Sequence, residues 1–432
     1  MSLSETHSGG HGISRRSMVI AGLSTVVEWY DFTLYLYFAT VLSRVFFGGG
    51  EGSLVTTLLG FAVAYLLRPI GAMVFGHIGD RFGRRRMMLL SMTVMSLAMF
   101  ATALLPTYDQ IGAASGWGLL LLRCVMGFSV GGEYTGVVAY LMEGARSDKR
   151  GLIASLASAA SEIGALLAVG VSALTVHMLG EADLRAWGWR IPFLVGAALA
   201  GAVWAARTTM HESPDFLRQQ DEGTTPERPL HHSLTNHRVG IARAFAISAL
   251  GSITYYVGIT YVPAFLNSAG AMTETVSLWL STVAAVVVIL VTPFVGALSD
   301  RLGRKPVLVA LGLGSAVLPI TLFWLMSSGS TASALLGAVA LAGVAGGVSA
   351  VGAVATAEQF PGEGRLSGLA FGATLATAIF GGLTPWLAQV LVDKTHWPMV
   401  PGAMIAVVAL AVLPVFLTAP ETAPLAGGKA KP

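Results

Sequence analysis

Gly76-His77-Ile78-Gly79-Asp80-Arg81-Phe82-Gly83-Arg84-Arg85-Arg86 lies between two long apolar runs. It returns as Gly296-Ala297-Leu298-Ser299-Asp300-Arg301-Leu302-Gly303-Arg304-Lys305. Both copies read Gly-x-x-x-Asp-Arg-x-Gly followed by two basic residues, and Asp80 and Asp300 are 220 residues apart. Glycine permits a sharp turn and a close approach of helices. The basic cluster is too costly to cross a bilayer, which predicts a turn held on the cytoplasmic face. A turn repeated inside a membrane chain points to two related halves, an arrangement found in transporters.

Composition agrees with a membrane chain. Charged residues make up 11% and hydrophobic residues 54% of the 432, and mean hydropathy is +0.71. An ordinary soluble domain is excluded. The net charge of +3 is explained by where the Lys and Arg fall, so no nucleic-acid partner is expected. The single cysteine, Cys124, leaves no intrachain disulfide and sits in an apolar run. Residues 1–16 are polar and do not read as a cleaved signal.

A membrane helix needs about 20 mostly apolar residues. On that criterion the fold class is an all-α membrane protein of twelve spans. Six are predicted near 18–44, 54–77, 87–105, 116–142, 151–178 and 188–206. Six more fall near 241–267, 275–297, 306–326, 332–357, 366–392 and 399–418. The domain organisation is then an N-terminal tail (1–17), a six-helix lobe (18–206), a linker (207–240), a second lobe (241–418) and a C-terminal tail (419–432). The linker carries Pro214, Pro226, Pro229 and His231-His232.

Placing the N-terminus inside puts twenty of the 26 Lys and Arg residues in cytoplasmic segments, from Arg15 and Arg16 to Lys429 and Lys431. Four fall outside (Arg44, Arg185, Arg190 and Lys394), and Arg68 and Arg123 remain within spans. This predicts both termini, the tails and the linker on the cytoplasmic side of a cell membrane. Further landmarks repeat. Glu143 precedes Arg150 by seven residues, as Glu358 precedes Arg365. Glu212-Ser213-Pro214 has its counterpart in Pro420-Glu421-Thr422-Ala423-Pro424.

With these landmarks the chain resembles the major facilitator superfamily over nearly its whole length. Finer motifs resemble its metabolite:proton symporter family. They are Glu28-Trp29-Tyr30-Asp31-Phe32, Arg68-Pro69-Ile70-Gly71, Gly127-Phe128-Ser129-Val130-Gly131-Gly132-Glu133-Tyr134 and Trp187-Gly188-Trp189-Arg190-Ile191-Pro192-Phe193. Tyr255-Tyr256, Thr260-Tyr261-Val262-Pro263 and Gly382-Leu383-Thr384-Pro385 are most like proline/betaine transporters. The Gly-Gly-Glu-Tyr and Trp-Gly-Trp-Arg segments are equally like 2-oxoglutarate permeases. The resemblance implies two pseudo-symmetric six-helix lobes and alternating access. Arg123-x-x-x-Gly127 is similar to a facilitator signature associated with proton coupling. A long C-terminal coiled coil, present in some osmoregulated proline/betaine transporters, has no counterpart, so osmotic sensing does not carry over.

Ionisable groups within membrane spans are expensive and therefore functional candidates. The first half has Glu28, Asp31, Arg68, Arg123, Glu133 and Glu162, and the second half has none well inside a span. At about 1.5 Å per residue, Glu28, Arg68, Glu133 and Glu162 each lie roughly 13–17 Å from a cytoplasmic helix end, which makes one charged layer. Ser24, Glu28, Asp31 and Tyr35 share a helical face, as do Ser155, Ser158 and Glu162. Asp31, Glu133, Glu28 and Glu162 are candidates for proton coupling, because burial raises a carboxylate's pKa and a nearby Arg lowers it. Arg123 is the expected partner of Asp31 or Glu133. With Arg68, Tyr35, Tyr255 and Tyr256 it is also a candidate for substrate binding. Trp279, Thr374, Thr377 and Trp386 add aromatic or hydroxyl groups, and aromatic faces can hold an ammonium. The competing reading of the layer is a buried ion-pair network that only holds the first half together.

The repeated turns are candidate gates. Asp80, at the start of the third span, is expected to cap that helix and to pair with Arg81, Arg84 or the Glu143–Arg150 strip. Asp300, Arg301, Arg304, Glu358 and Arg365 would mirror this. No metal-ligand cluster, phosphate-binding loop or nucleophile turn is found. An enzyme and a cofactor are therefore not expected. The leading expectation is a monomeric proton symporter importing a small carboxylate-bearing solute, first choice a zwitterion such as proline or a betaine. The alternative is an organic acid such as 2-oxoglutarate or another di- or tricarboxylate. A drug/proton antiporter or a membrane sensor fits less well.

Overall fold

The computed structural model describes residues 14–50, 53–225, 228–268, 272, 274–362 and 364–423. Pro226, Pro424, Lys429, Lys431 and the tail before Ser14 lie outside the described residues. Among those described there are helices and no strand. Twelve helical stretches follow the twelve predicted spans. In the first half they are α1 (Arg15–Tyr37, continued by Ala39–Phe47), α2 (Ser53–Leu66 and Arg68–Phe82), α3 (Arg84–Leu104), α4 (Ala114–Val130 and Glu133–Gly144), α5 (Arg150–Met178) and α6 (Arg190–Arg207). The second half has α7 (Arg238–Tyr255 and Val262–Ser268), α8 (Glu274–Leu302), α9 (Arg304–Met326), α10 (Thr331–Ala357), α11 (Arg365–Leu369 onward to Thr384–Thr395) and α12 (Val400–Thr418). Ten described helices are long and apolar enough to cross a membrane. The other two, α1 and α7, are diluted by Glu28 and Asp31 or by tyrosines and a break near Tyr261.

One expectation changes here. The repeated motif is mostly not a turn, because helix continues through Phe82 and through Leu302. The reversal is confined to Gly83 and Gly303, both at φ 104°. At ψ near 150° that is backbone only glycine adopts easily. The linker is not plain coil either. It holds two short helices, Pro214–Asp221 and Pro229–Asn236, the first capped by the Ser213 hydroxyl.

Each half has its own apolar core. One gathers Tyr30, Phe46, Met95, Trp189 and Phe193, and the other gathers Leu250, Phe265, Phe323, Leu341 and Phe416. A third core joins the halves near the repeated motifs, with Phe75, Met87 and Tyr140 on one side and Phe360, Leu366 and Leu369 on the other. Across the halves, α5 packs on α8 and α10, and α2 packs on the start of α11. The outward faces stay apolar, with Leu97, Trp324 and Phe294 exposed, as lipid contact requires.

Small residues set the approach of the helices that carry charge. A Cβ on Gly71 would strike the Phe128 carbonyl, and one on Gly127 the Ala64 carbonyl. Helices α2 and α4 therefore touch backbone to backbone, as small residues allow in membrane bundles. Gly164 brings α5 just as close to Val26 of α1. These contacts bring Arg68, Glu28 and Glu162 to one place.

Candidate functional site

That place is a cavity of about 160 Å³ between the halves. From the first half it is lined by Glu28, Trp29, Tyr65, Arg68, Tyr134, Ser158 and Glu162. The second half contributes Ser252, Tyr255, Tyr256, Ser349, Thr374 and Thr377. Local irregularity shapes the second wall. Helix α7 widens into a π-turn at Tyr256–Thr260, and α11 does so at Ala370–Thr374 and Ala378–Gly382. Such bulges often mark functional sites.

The charges form pairs that sequence only partly foresaw. Glu28 Oε1 lies 3.7 Å from Arg68 Nη1, too long for a hydrogen bond. The guanidinium of Arg68 sits 4.8 Å from the Phe32 ring centre and 4.5 Å from that of Tyr65. Arg123 donates to both oxygens of Asp31, at 2.8 and 3.3 Å. This second pair faces a smaller cavity of about 40 Å³ beside Tyr35 and Phe61, and Glu28, Tyr65, Arg68 and Val130 border both spaces. Tyr35 does not reach the larger cavity. Its hydroxyl donates to the Thr57 carbonyl at 2.9 Å.

Glu133 is not opposite Arg123. It accepts from Arg207 and from the Ser91 hydroxyl, and it does not line either cavity. Arg207, the first residue of the linker range 207–240, is fully buried and also donates to the Met88 carbonyl. The signal for it was the surplus of acids over bases in the layer. Glu162 accepts a hydrogen bond from Tyr255 across the two halves, and Ser158 meets Ser349 at 3.1 Å. Tyr65, not singled out from sequence, shares a hydrogen bond of 2.5 Å with Tyr256. Trp279 and Trp386 are 67% and 66% exposed on the outer surface and take no part in the cavity.

The repeated motifs build two junctions between the halves. Asp80 does not cap α3. Its carboxylate accepts from the amides of Leu366 and Ser367, at 3.3 and 2.8 Å, at the start of α11 in the other half. Asp300 accepts from Gly151 and Leu152, at 2.8 and 2.9 Å, at the start of α5. Caps on α3 and α9 come instead from the third repeated landmark. Glu212 accepts from the amides of Arg84 and Arg85, and Glu421 from those of Arg304 and Lys305. Each Asp pairs with the Arg four residues on, Arg84 or Arg304, and each of these Arg reaches the Glu of its own half, Glu143 or Glu358. Arg81 and Arg301 are exposed and form no ion pair among the described residues. Arg365 crosses between halves to Glu143 at 2.5 Å, whereas Arg150 makes no ion pair among the described residues.

Comparison with known proteins agrees with this architecture. The family model "Sugar (and other) transporter" matches residues 17–231, and "Major Facilitator Superfamily" matches residues 249–432. The proline/betaine transporter of Escherichia coli K12 is 32% identical over 429 residues, covering 96% of this chain and 86% of that one. The ectoine/proline transporter of Corynebacterium glutamicum is 33% identical, covering 93% and 83%. The alpha-ketoglutarate permease of E. coli K12 is also 33% identical, covering 87% of each chain. Among solved structures, the proton:xylose symporter XylE bound to 6-bromo-6-deoxy-D-glucose superposes with a TM-score of 0.80 at 20% identity, covering 95% and 96%. On sequence relatives spanning almost the entire chain, and on the family models that match its two halves, the protein belongs to the major facilitator superfamily.

Proposed function

We propose that the protein is a proton-coupled symporter that imports a small carboxylate-bearing solute, first choice a zwitterion such as proline or a betaine. Its family makes it a multi-pass secondary transporter and not an enzyme; the solute, the coupled ion and the residue roles are the proposal. The observation that carries it is the cavity between the halves, with Arg68 on its wall held only loosely by Glu28. A guanidinium offers a planar fork to a carboxylate, and Arg68 is not committed to a bidentate partner within the protein. The proline/betaine and ectoine/proline relatives support a zwitterion.

In this reading Asp31 is the proton switch. Its pair with Arg123 lies beyond Glu28 and Arg68, in a separate pocket that shares their wall. A proton on Asp31 weakens its hold on Arg123, and the released positive charge favours the carboxylate form of Glu28 or of the solute next to it. Glu133 with Arg207 and Ser91 is a structural brace. The junctions at Asp80 and Asp300 act as cytoplasmic gates, and the Tyr65–Tyr256 contact, roughly 20 Å along α2 from Asp80, is the opposing one. The halves rock as lobes about the cavity, joined by the cytoplasmic linker 207–240. Exposed residues at the two ends of the bundle test that orientation. In a Cys124→Ser background, a cysteine replacing Gln220 should resist an impermeant thiol reagent in intact cells, while one replacing Lys394 should react.

An organic-acid substrate is the second reading, supported by the permease for alpha-ketoglutarate among the relatives. One experiment separates the two. Purified protein in liposomes is offered radiolabelled proline, glycine betaine and 2-oxoglutarate, with and without an imposed proton gradient. Gradient-driven accumulation of a zwitterion that Asp31→Asn abolishes, with counterflow retained, is the expected result. Uptake indifferent to the gradient would overturn proton symport.

A further inference from the structure

Glu162 is the one acid of the charged layer without a base. Glu28 has Arg68 beside it, Asp31 has Arg123, and Glu133 has Arg207. Among the described residues Glu162 makes no ion pair, and its one hydrogen bond comes from the Tyr255 hydroxyl to Oε1. The residue is only 2% exposed, and it faces the cavity. An unpaired carboxylate inside a membrane bundle is costly unless it takes up a proton or a counter-charge arrives there. A carboxylate has about four acceptor sites, of which the protein fills one.

We propose that Glu162 is a specificity-determining residue that receives a hydrogen-bond-donating ammonium of the solute, primary or secondary, while Arg68 takes its carboxylate. This deepens the symporter reading and rests on it. It selects among zwitterions, because a quaternary ammonium has no N–H to donate. Quaternary groups are instead held by open aromatic faces, and several of the rings beside Arg68 and Glu162 already pack on other groups. Arg68 lies over Phe32 and Tyr65. Trp29 and Tyr255, on the Glu162 side, pack edge to face on each other at 5.4 Å. A site built to hydrogen-bond an N–H discriminates strongly against the analogue that lacks it.

The test uses the full chain in liposomes under an imposed proton gradient, with L-proline, its N,N-dimethyl derivative and 2-oxoglutarate as probes. Wild-type protein should favour proline over the dimethyl compound by at least about tenfold in kcat/KM. Glu162→Gln should raise the KM for proline by about tenfold or more and shrink that preference. Tyr255→Phe, which keeps the ring and frees the carboxylate, should raise the proline KM less. If Glu162→Gln does not purify as a folded protein, a changed proline-to-dimethyl preference in Tyr255→Phe supports the proposal and an unchanged one overturns it. Glu162→Gln with wild-type KM values overturns it and leaves symport standing. So does loss of gradient-driven accumulation for every probe with counterflow and KM intact, which would make Glu162 a proton carrier. Wild-type protein that accumulates 2-oxoglutarate and not proline overturns this assignment together with the zwitterion choice, and leaves proton symport standing. Accumulation of no probe in response to the gradient removes both the assignment and the symport reading.

Discussion

At the first junction Asp80 reaches from α2 to the amides that open α11, and at the second Asp300 reaches from α8 to the amides that open α5. The backbone geometry repeats closely, down to the φ of 104° at Gly83 and Gly303. The Asp–Arg–Glu sets and the capping glutamates repeat as well, but the other side chains that cross between the halves do not. At the first junction Arg365 of the second half binds Glu143 of the first, and Arg84 donates across to the Gly362 carbonyl at 2.9 Å. At the second, Arg304 and Thr422 both hold Glu358 within one half, and Arg150 does not cross. The same motif thus gives a charged bridge between halves on one side and a simple helix cap on the other. The first junction should resist opening more than the second.

The largest difference should appear when the two glutamates are neutralised. Glu143→Gln leaves Arg365 and Arg84 buried with less negative charge, and it weakens a contact that exists only while the halves are closed. Removing one partner of a buried pair costs about 3 kcal/mol, enough to shift the closed-to-open ratio by roughly a hundredfold. Glu358→Gln removes a contact inside one half, so it should lower the unfolding midpoint while moving that ratio less than about threefold. Spin-label distances across the junction end measure the ratio. Equal shifts for the two variants would erase the distinction drawn here.

A second pair of variants should behave alike. In Gly83→Ala and Gly303→Ala the new Cβ would collide with the capping carboxylate, Glu212 or Glu421, in backbone that favours glycine. Strain of this kind costs about 1–3 kcal/mol, and both proteins should lose a similar amount of thermal stability in detergent. A loss at only one position would mean that the caps are unequal as well as the bridges.

Much of this was legible beforehand. Twelve spans could be placed because lipid imposes a length on apolar runs, and the motif at Asp80 announced its copy at Asp300. The charged layer was legible too, since Glu28, Asp31, Arg68 and Arg123 stand out against apolar neighbours. What could not be read were contacts between distant helices. Asp80 was assigned to the helix next to it, because sequence shows neighbours along the chain and not the amides of Leu366 and Ser367. Arg207 looked cytoplasmic, since a basic residue at a helix end usually is. It is buried because α6 leans on α3 and the break at Gly131-Gly132 starts a new helix at Glu133. Tyr65 carried no charge and no motif, so nothing marked it before Tyr256 was seen beside it.

The smallest effect, and the one in which the junctions should agree, concerns the two aspartates. Each accepts two amide hydrogen bonds at a helix start in the opposite half, where a negative charge is favoured by the exposed N–H groups. Asparagine keeps the shape and one acceptor oxygen but loses the charge. It also removes the ion pair to Arg84 or Arg304, which lies within one half and affects stability more than closure. A charge-assisted bond is worth about 1.5–3 kcal/mol, and asparagine retains part of it, so closure should weaken by about 1.4 kcal/mol, or tenfold. Asp80→Asn and Asp300→Asn should therefore slow net uptake by similar factors, while solute affinity measured at equilibrium changes by less than about threefold. The combination should be close to multiplicative, because the two sites share no partner. If Asp80→Asn alone slows exchange while Asp300→Asn does not, the second turn is only an anchor, and the gate belongs to the bridged junction.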